Sequence, residues 1–242
     1  MIPIGDEPHG RRLTPVVTYT LLALNVIVFV YEMTLSERGL FQFFAEWAVV
    51  PASVSEGNDL VTLVTSQFMH GGYAHIIGNM LFLWVFGDNI EDIMGHAKFV
   101  IFYLLTGVVA ALAQVLIDPG STVPIVGASG AISGVLGAYI VLFPFGKIRT
   151  AILIGFIPII FMTPAWLQIG LWALIQFFNG FAAFTVDSQE VGGVAYFAHI
   201  GGFLCGALAI WLFRDRESHE RQRAARSGRG RPAFERVPRR AG

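Results

Sequence analysis

The chain has 242 residues, of which 55% are hydrophobic and only 14% charged, with a formal net charge of -1 and a mean hydropathy of +0.63. That balance lies outside ordinary soluble usage and excludes a water-soluble globular enzyme, because so much apolar surface needs lipid. Cys205 is the only cysteine, which excludes an intrachain disulfide, and its apolar surroundings suit packing better than reactivity.

Met1 to Leu13 is polar and lacks the pattern of a cleavable signal, so the first apolar run is expected to stay as an anchor. A spanning helix needs about 20 mostly apolar residues. Six stretches fit, at roughly 14–33, 75–94, 98–117, 128–145, 164–183 and 194–213. Between the fourth and fifth, Lys147 to Thr163 is apolar but is interrupted by Pro158, and reads as an interfacial or re-entrant connection. From Arg214 onward ten arginines face four carboxylates, which predicts a disordered basic tail rather than a nucleic-acid-binding element. The predicted organisation is therefore a cytoplasmic segment 1–13, an all-α polytopic membrane domain 14–213 of six transmembrane helices, and a disordered Arg-rich cytoplasmic tail 214–242.

Six crossings put both termini on one side. Arg11, Arg12, Lys98, Lys147, Arg149 and the tail share that side, with only Arg38 opposite, so the positive-inside rule makes it cytoplasmic. The predicted location is the cell (plasma or inner) membrane, with the loops near 34–73, 118–127 and 184–193 facing out.

This topology sorts the histidines. His9, His96 and His219 fall inside, whereas His70, His75 and His199 fall at or near outer helix ends. His199 sits early in the sixth span, three residues before Gly202, which with Gly206 forms a small-xxx-small face that admits another helix closely. The facing helix is predicted to begin in the run Gly127 to Gly130, which places Ser129 near the depth of His199. A serine hydroxyl is a weak nucleophile until a base within hydrogen-bond reach takes its proton, and imidazole suits that task. Small residues such as these equally serve helix packing, and a lone histidine equally serves as a polar anchor; their shared side and complementary roles favour catalysis. His75 and Asn79, spaced i, i+4, project from one face of the second span. Both can donate to a developing oxyanion, an interaction worth on the order of 3 kcal/mol per donor. Otherwise they bridge helices. No carboxylate lies at the right depth for a triad, since Asp88, Glu91 and Asp92 end the second span inside and Asp118, Asp187 and Glu190 lie in outer loops. Ser133, one turn deeper than Ser129, is read as pocket lining, and His70 as a loop residue near the membrane surface.

Three motifs, HGGYAHIIGNMLFLWVFGDNIED, GASGAISGVLGAY and AHIGGFLCG, together resemble the rhomboid family of intramembrane serine proteases over about Ser66 to Gly206. The resemblance implies a six-helix core with Ser129 as nucleophile, His199 as general base, and His75 and Asn79 as oxyanion-stabilising side chains helped by the Ser129 amide. It makes Gly127 and Gly130 structural flanks, the helix from Pro164 to Gly180 a lateral gate, and Val186 to Val194 a cap. Transmembrane segments of other proteins are the implied substrates, the lipid bilayer the implied medium, and no cofactor or metal is implied. Two features depart from the pattern. Some members pack an aromatic residue on the histidine from one turn after the serine, where this chain has Ser133; Tyr196 or Phe197 would have to compensate. Trp47 lacks the arginine that accompanies a tryptophan in some members' first loop. A non-proteolytic rhomboid-like protein that binds transmembrane helices for quality control is the alternative, and it would need neither Ser129 nor His199.

Overall fold

The computed structural model describes residues 1–7, 11–155, 157–182 and 194–226. Helices dominate: α1 (Val16–Thr34), α2 (Glu37–Trp47), α3 (Pro51–Ser55), α4 (Thr62–Thr65), α5 (Tyr73–Met94), α6 (His96–Ile117), α7 (Ser129–Leu142), α8 (Ala165–Ala182), α9 (Tyr196–Phe213) and α10 (Arg216–Arg226). A 3-10 turn at Ser66–Phe68 leads toward α5.

Among the described residues, α1, α6 and α9 are long and apolar enough to cross a membrane. The six equivalent spans expected from the sequence differ in character for physical reasons. The last turns of α5 carry Asp88, Glu91 and Asp92, and α8 carries Gln168, Gln176 and Asn179. α7 has only 14 residues. It is the centre of the molecule, with Gly130 through Tyr139 all buried against Phe86 and Leu83 of α5 and Phe102 and Tyr103 of α6.

Glycines set how closely the central helices approach. A Cβ on Gly202 of α9 would collide with the carbonyl oxygen of Gly130, and one on Gly206 with that of Gly134. One on Gly130 would stand 2.6 Å from the Ala110 side chain of α6. The α7–α9 contact is thus backbone against side-chain-free backbone, as the small-residue face predicted.

The acidic end of α5 is the second organising feature. Glu91, buried, accepts the amides of Val17 and Thr18 and the Thr18 hydroxyl at 2.6 to 2.9 Å. It thereby caps the α1 N-terminus, where the first amides have no intrahelical acceptor and negative charge is favoured. Asp92 accepts the amides of Arg12 and Leu13, and also Arg221 at 2.8 Å and Gln222 at 2.6 Å. Arg11 pairs with Asp88. The N-terminal segment and α10 therefore meet at one end of the bundle, opposite the start of α5.

Two expectations are corrected at that end. The basic tail is not irregular from its start: Arg216–Arg226 is the helix α10, because Asp92 and the Asn89 carbonyl receive its side chains. Residues 227–242 lie outside the described residues. The molecule is also not wholly α. The stretch read as an interfacial or re-entrant connection is strand rather than helix: Lys147–Ile154 (β2) and Ile157–Pro164 (β3) form an antiparallel hairpin turning through Gly155 at φ 62°. The N-terminal Ile2–Asp6 (β1) adds to β2, giving the order β1-β2-β3 with Ile2 opposite Ala151. These Ile- and Thr-rich segments suit strands, and Pro158 is tolerated because β3 is an edge strand. Asp6 locks β1 to the bundle by accepting from Asn89 at 2.9 Å and Tyr139 at 3.2 Å. Gln168 of α8 accepts from Thr150 and Thr163, which fastens the hairpin base to that helix.

Candidate active site

The opposite end of the bundle gathers α5, α6, α7, α8 and α9 around one cavity of about 580 Å³, bordered by His75, Asn79, Gly127, Ser129, Trp172 and His199. Ser129 is the first residue of α7. The strand-like loop before it is held by the Val49–Ile125 bridge and by the Gly127 amide donating to the Ser66 carbonyl at 2.9 Å. Gly127 itself has φ 127°, a conformation rarely open to residues with a Cβ. A Cβ there would also lie 2.7 Å from His75 Nε2 and 3.5 Å from Ser129 Oγ. Its missing side chain is the space across which the His75 ring approaches the serine. As the first helical residue, Ser129 also has an amide with no intrahelical acceptor, at the positive end of the helix dipole.

His199, in the first turn of α9, brings Nε2 to 2.8 Å from Ser129 Oγ. The two residues are 70 positions apart, and the glycine contacts of α7 with α9 set their separation. On the other side of the ring, Nδ1 lies 2.8 Å from Gln176 Oε1 of α8. The Trp172 ring, one turn earlier on α8, sits 6.1 Å from the imidazole centroid. Trp172 thus gives His199 an aromatic neighbour from α8. Ser133 is fully buried and donates to the Ser129 carbonyl at 2.6 Å, so its hydroxyl is committed to the helix backbone.

His75 and Asn79 reach the cavity from α5 as their spacing predicted. His75 Nδ1 accepts from the Gly71 amide at 3.4 Å, and Nε2 is the atom nearest to Gly127. Asn79 Nδ2 is 3.0 Å from His70 Nε2, which uses one amide N–H and leaves the other for the cavity. His70 lies in the loop between the 3-10 turn and α5, as expected, but its side chain is turned inward. It is 2% exposed, its ring lies 5.0 Å from that of His75, and its amide donates to Glu32 of α1 at 3.2 Å. Burial, reinforced by His75, pushes its pKa down to about 4, so His70 stays neutral and supports Asn79 as an acceptor.

Reading the sequence missed Gln176, Trp172 and Glu32. The signal for Gln176 was available, because an amide in an apolar span is expensive and points to a partner inside the bundle. The cap expected over 186–194 lies, except for Val194, outside the described residues.

Known proteins resemble the chain over much of its length. A family model described as the rhomboid domain matches residues 57–216. The chain is 28% identical to Rhomboid protein 1, mitochondrial, of Saccharomyces cerevisiae over 90% of its own length and 58% of that protein. It is 31% identical to Rhomboid-like protein 11, chloroplastic, of Arabidopsis thaliana over 62% of the chain and 51% of the relative. It is 30% identical to rhomboid protease GluP of Bacillus subtilis over 80% of the chain and 34% of the relative. The chain thus spans between a third and three fifths of the length of these relatives.

Proposed function

The chain belongs to the rhomboid family, and from that premise we propose that it is an intramembrane serine endopeptidase that cuts single-span membrane proteins near the outer membrane boundary. The observation that carries this reading is the 2.8 Å contact between Ser129 Oγ and His199 Nε2 at the edge of a cavity that His75 and Asn79 also line. A protein that only bound helices would have no use for it.

In this reading α1, α5, α6, α7, α8 and α9 are the six crossings, both termini are cytoplasmic, and the protein resides in the cell membrane. A 14-residue helix is about 21 Å long, against about 30 Å of hydrocarbon. With its far end at the inner boundary, α7 holds Ser129 below the outer one, where the cavity supplies water. A substrate helix enters between α5 and α8 and unwinds locally, because an amide inside a helix is shielded by its own hydrogen bonds. Gly, Pro or small residues near the outer boundary make that unwinding easier.

His199 Nε2 takes the Ser129 proton as Oγ attacks the carbonyl carbon. The oxyanion rests on His75, Asn79 and the Ser129 amide, and His199 then gives the proton to the leaving amine. A water deprotonated by His199 attacks the acyl-enzyme, releasing the carboxyl product and restoring the serine. A fluorophosphonate or isocoumarin probe tests the nucleophile directly: the wild type should be labelled and Ser129→Ala should not. Labelling that persists in Ser129→Ala would reject the assignment.

A further inference from the structure

A serine paired with histidine needs the imidazole in one tautomer. Nε2 must be bare to accept the Ser129 proton, so the ring hydrogen must sit on Nδ1. In hydrolases with a triad, a third side chain accepting from Nδ1–H enforces that tautomer and steadies the imidazolium that forms. Among the described residues no carboxylate contacts His199, yet its Nδ1 is engaged: Gln176 Oε1 lies 2.8 Å away. The amide comes from α8, on the side of the ring opposite Ser129, and it is only partly exposed.

We propose that Gln176 is a positioning residue, which accepts a hydrogen bond from His199 Nδ1–H and so holds the imidazole in the tautomer and orientation that leave Nε2 free for Ser129. This rests on the reading of Ser129 and His199 as nucleophile and base, and adds a third participant to it. The neutral amide steadies the imidazolium less than a carboxylate would, but it brings no buried charge into an apolar span. Because α8 carries both Gln176 and Trp172, a displacement of that helix strips His199 of its hydrogen-bond acceptor and its aromatic neighbour together. The base is thereby made competent only while α8 is seated.

Among the described residues the titratable surroundings of His199 are few, so a charge introduced at 176 is readable. From α5 it faces His75, with His70 and, from α1, Glu32 behind. α8 has no ionisable residue, α7 has only Tyr139 toward its far end, and α6 has His96, Lys98 and Tyr103 in the turns at its far end. On α9 itself the others are Tyr196 and Cys205.

The test measures the rate of fluorophosphonate labelling of the full chain against pH for wild type, Gln176→Met and Gln176→Glu. Methionine keeps the bulk and removes the acceptor; labelling should slow by roughly 10- to 100-fold, the effect of one hydrogen bond to a group that becomes charged. Glutamate offers only acceptors when ionised. It should label at near wild-type rate at the upper end of the range, with the acid limb of the profile moved to higher pH. A methionine variant that labels as fast as wild type overturns the proposal. So does a glutamate variant as slow as methionine with an unmoved acid limb, since Gln176 would then only fill space or donate. If the methionine variant fails to fold, the acid limb of the glutamate variant decides alone. A wild type that does not label at all contradicts the role of Ser129 itself, a separate outcome from either.

Discussion

At the scale of single residues, the site depends on what is missing at position 127 as much as on what is present at 129 and 199. A Cβ on Gly127 meets His75 Nε2 at 2.7 Å on a backbone with φ 127°. Gly127→Ala must therefore move either the histidine or the loop that presents Ser129. We expect a loss of about 10-fold or more in probe labelling, as for a misplaced catalytic group, with the protein still folded by thermal unfolding in detergent. His70 carries a pH signature. Its folded pKa of about 4 lies below the ordinary value of 6.5. The stability associated with its neutral, buried state is therefore complete above pH 6.5, and is lost progressively as pH falls from there toward 4. The drop in unfolding temperature between pH 7.5 and pH 5 should be smaller in His70→Gln than in wild type; an equal drop would assign the acid sensitivity elsewhere. Residue identities at the site were legible because Ser129, His199, His75 and Asn79 are polar groups in apolar runs, where each needs a reason. Gln176 satisfied the same criterion. It was less legible because the third member of a serine hydrolase site is ordinarily a carboxylate, whereas an amide accepts the same hydrogen bond without burying a charge.

At the scale of elements, the α7–α9 contact decides where the site residues stand. Gly206 approaches the Gly134 carbonyl with no room for a Cβ, so Gly206→Val must push the helices apart at their middle, one register below Ser129 and His199. Overpacking of this kind costs about 1 to 3 kcal/mol, and both the unfolding temperature and the labelling rate should fall; an unchanged unfolding temperature would show that the helices do not meet there. The glycine spacing made this contact readable from the sequence, since small residues every fourth position have one obvious use in a membrane helix. The three-stranded sheet was not readable. Its first strand is a short segment with a proline and a glycine, and its partner lies almost 150 residues away, a pairing that no local pattern announces. Pro158, taken as an interruption, sits on an edge strand where its missing N–H is harmless.

Across the whole molecule, the two ends of the bundle divide the work. Charge is concentrated at one end, where the carboxylates of α5 cap α1 and gather the N-terminal segment and α10. The polar groups of the other end converge on the cavity beside Ser129. The sequence announced this division through its basic residues, but six apolar stretches of similar length gave no sign of how differently the helices are built. Among the described residues α1, α6 and α9 carry the length and apolarity of simple spans, because α7 is shortened and enclosed while α5 and α8 bear the polar groups that the structure puts to use. The central claim, that the Ser129–His199 pair cleaves membrane-spanning substrates, is tested most directly with purified protein in liposomes alongside single-span reporters carrying Gly, Pro or small residues near the outer boundary. Mass spectrometry of the products should find one outer juxtamembrane cut with the wild type and none with Ser129→Ala or His199→Ala. Reporters left intact by the wild type, or a cut that survives either substitution, would contradict the account.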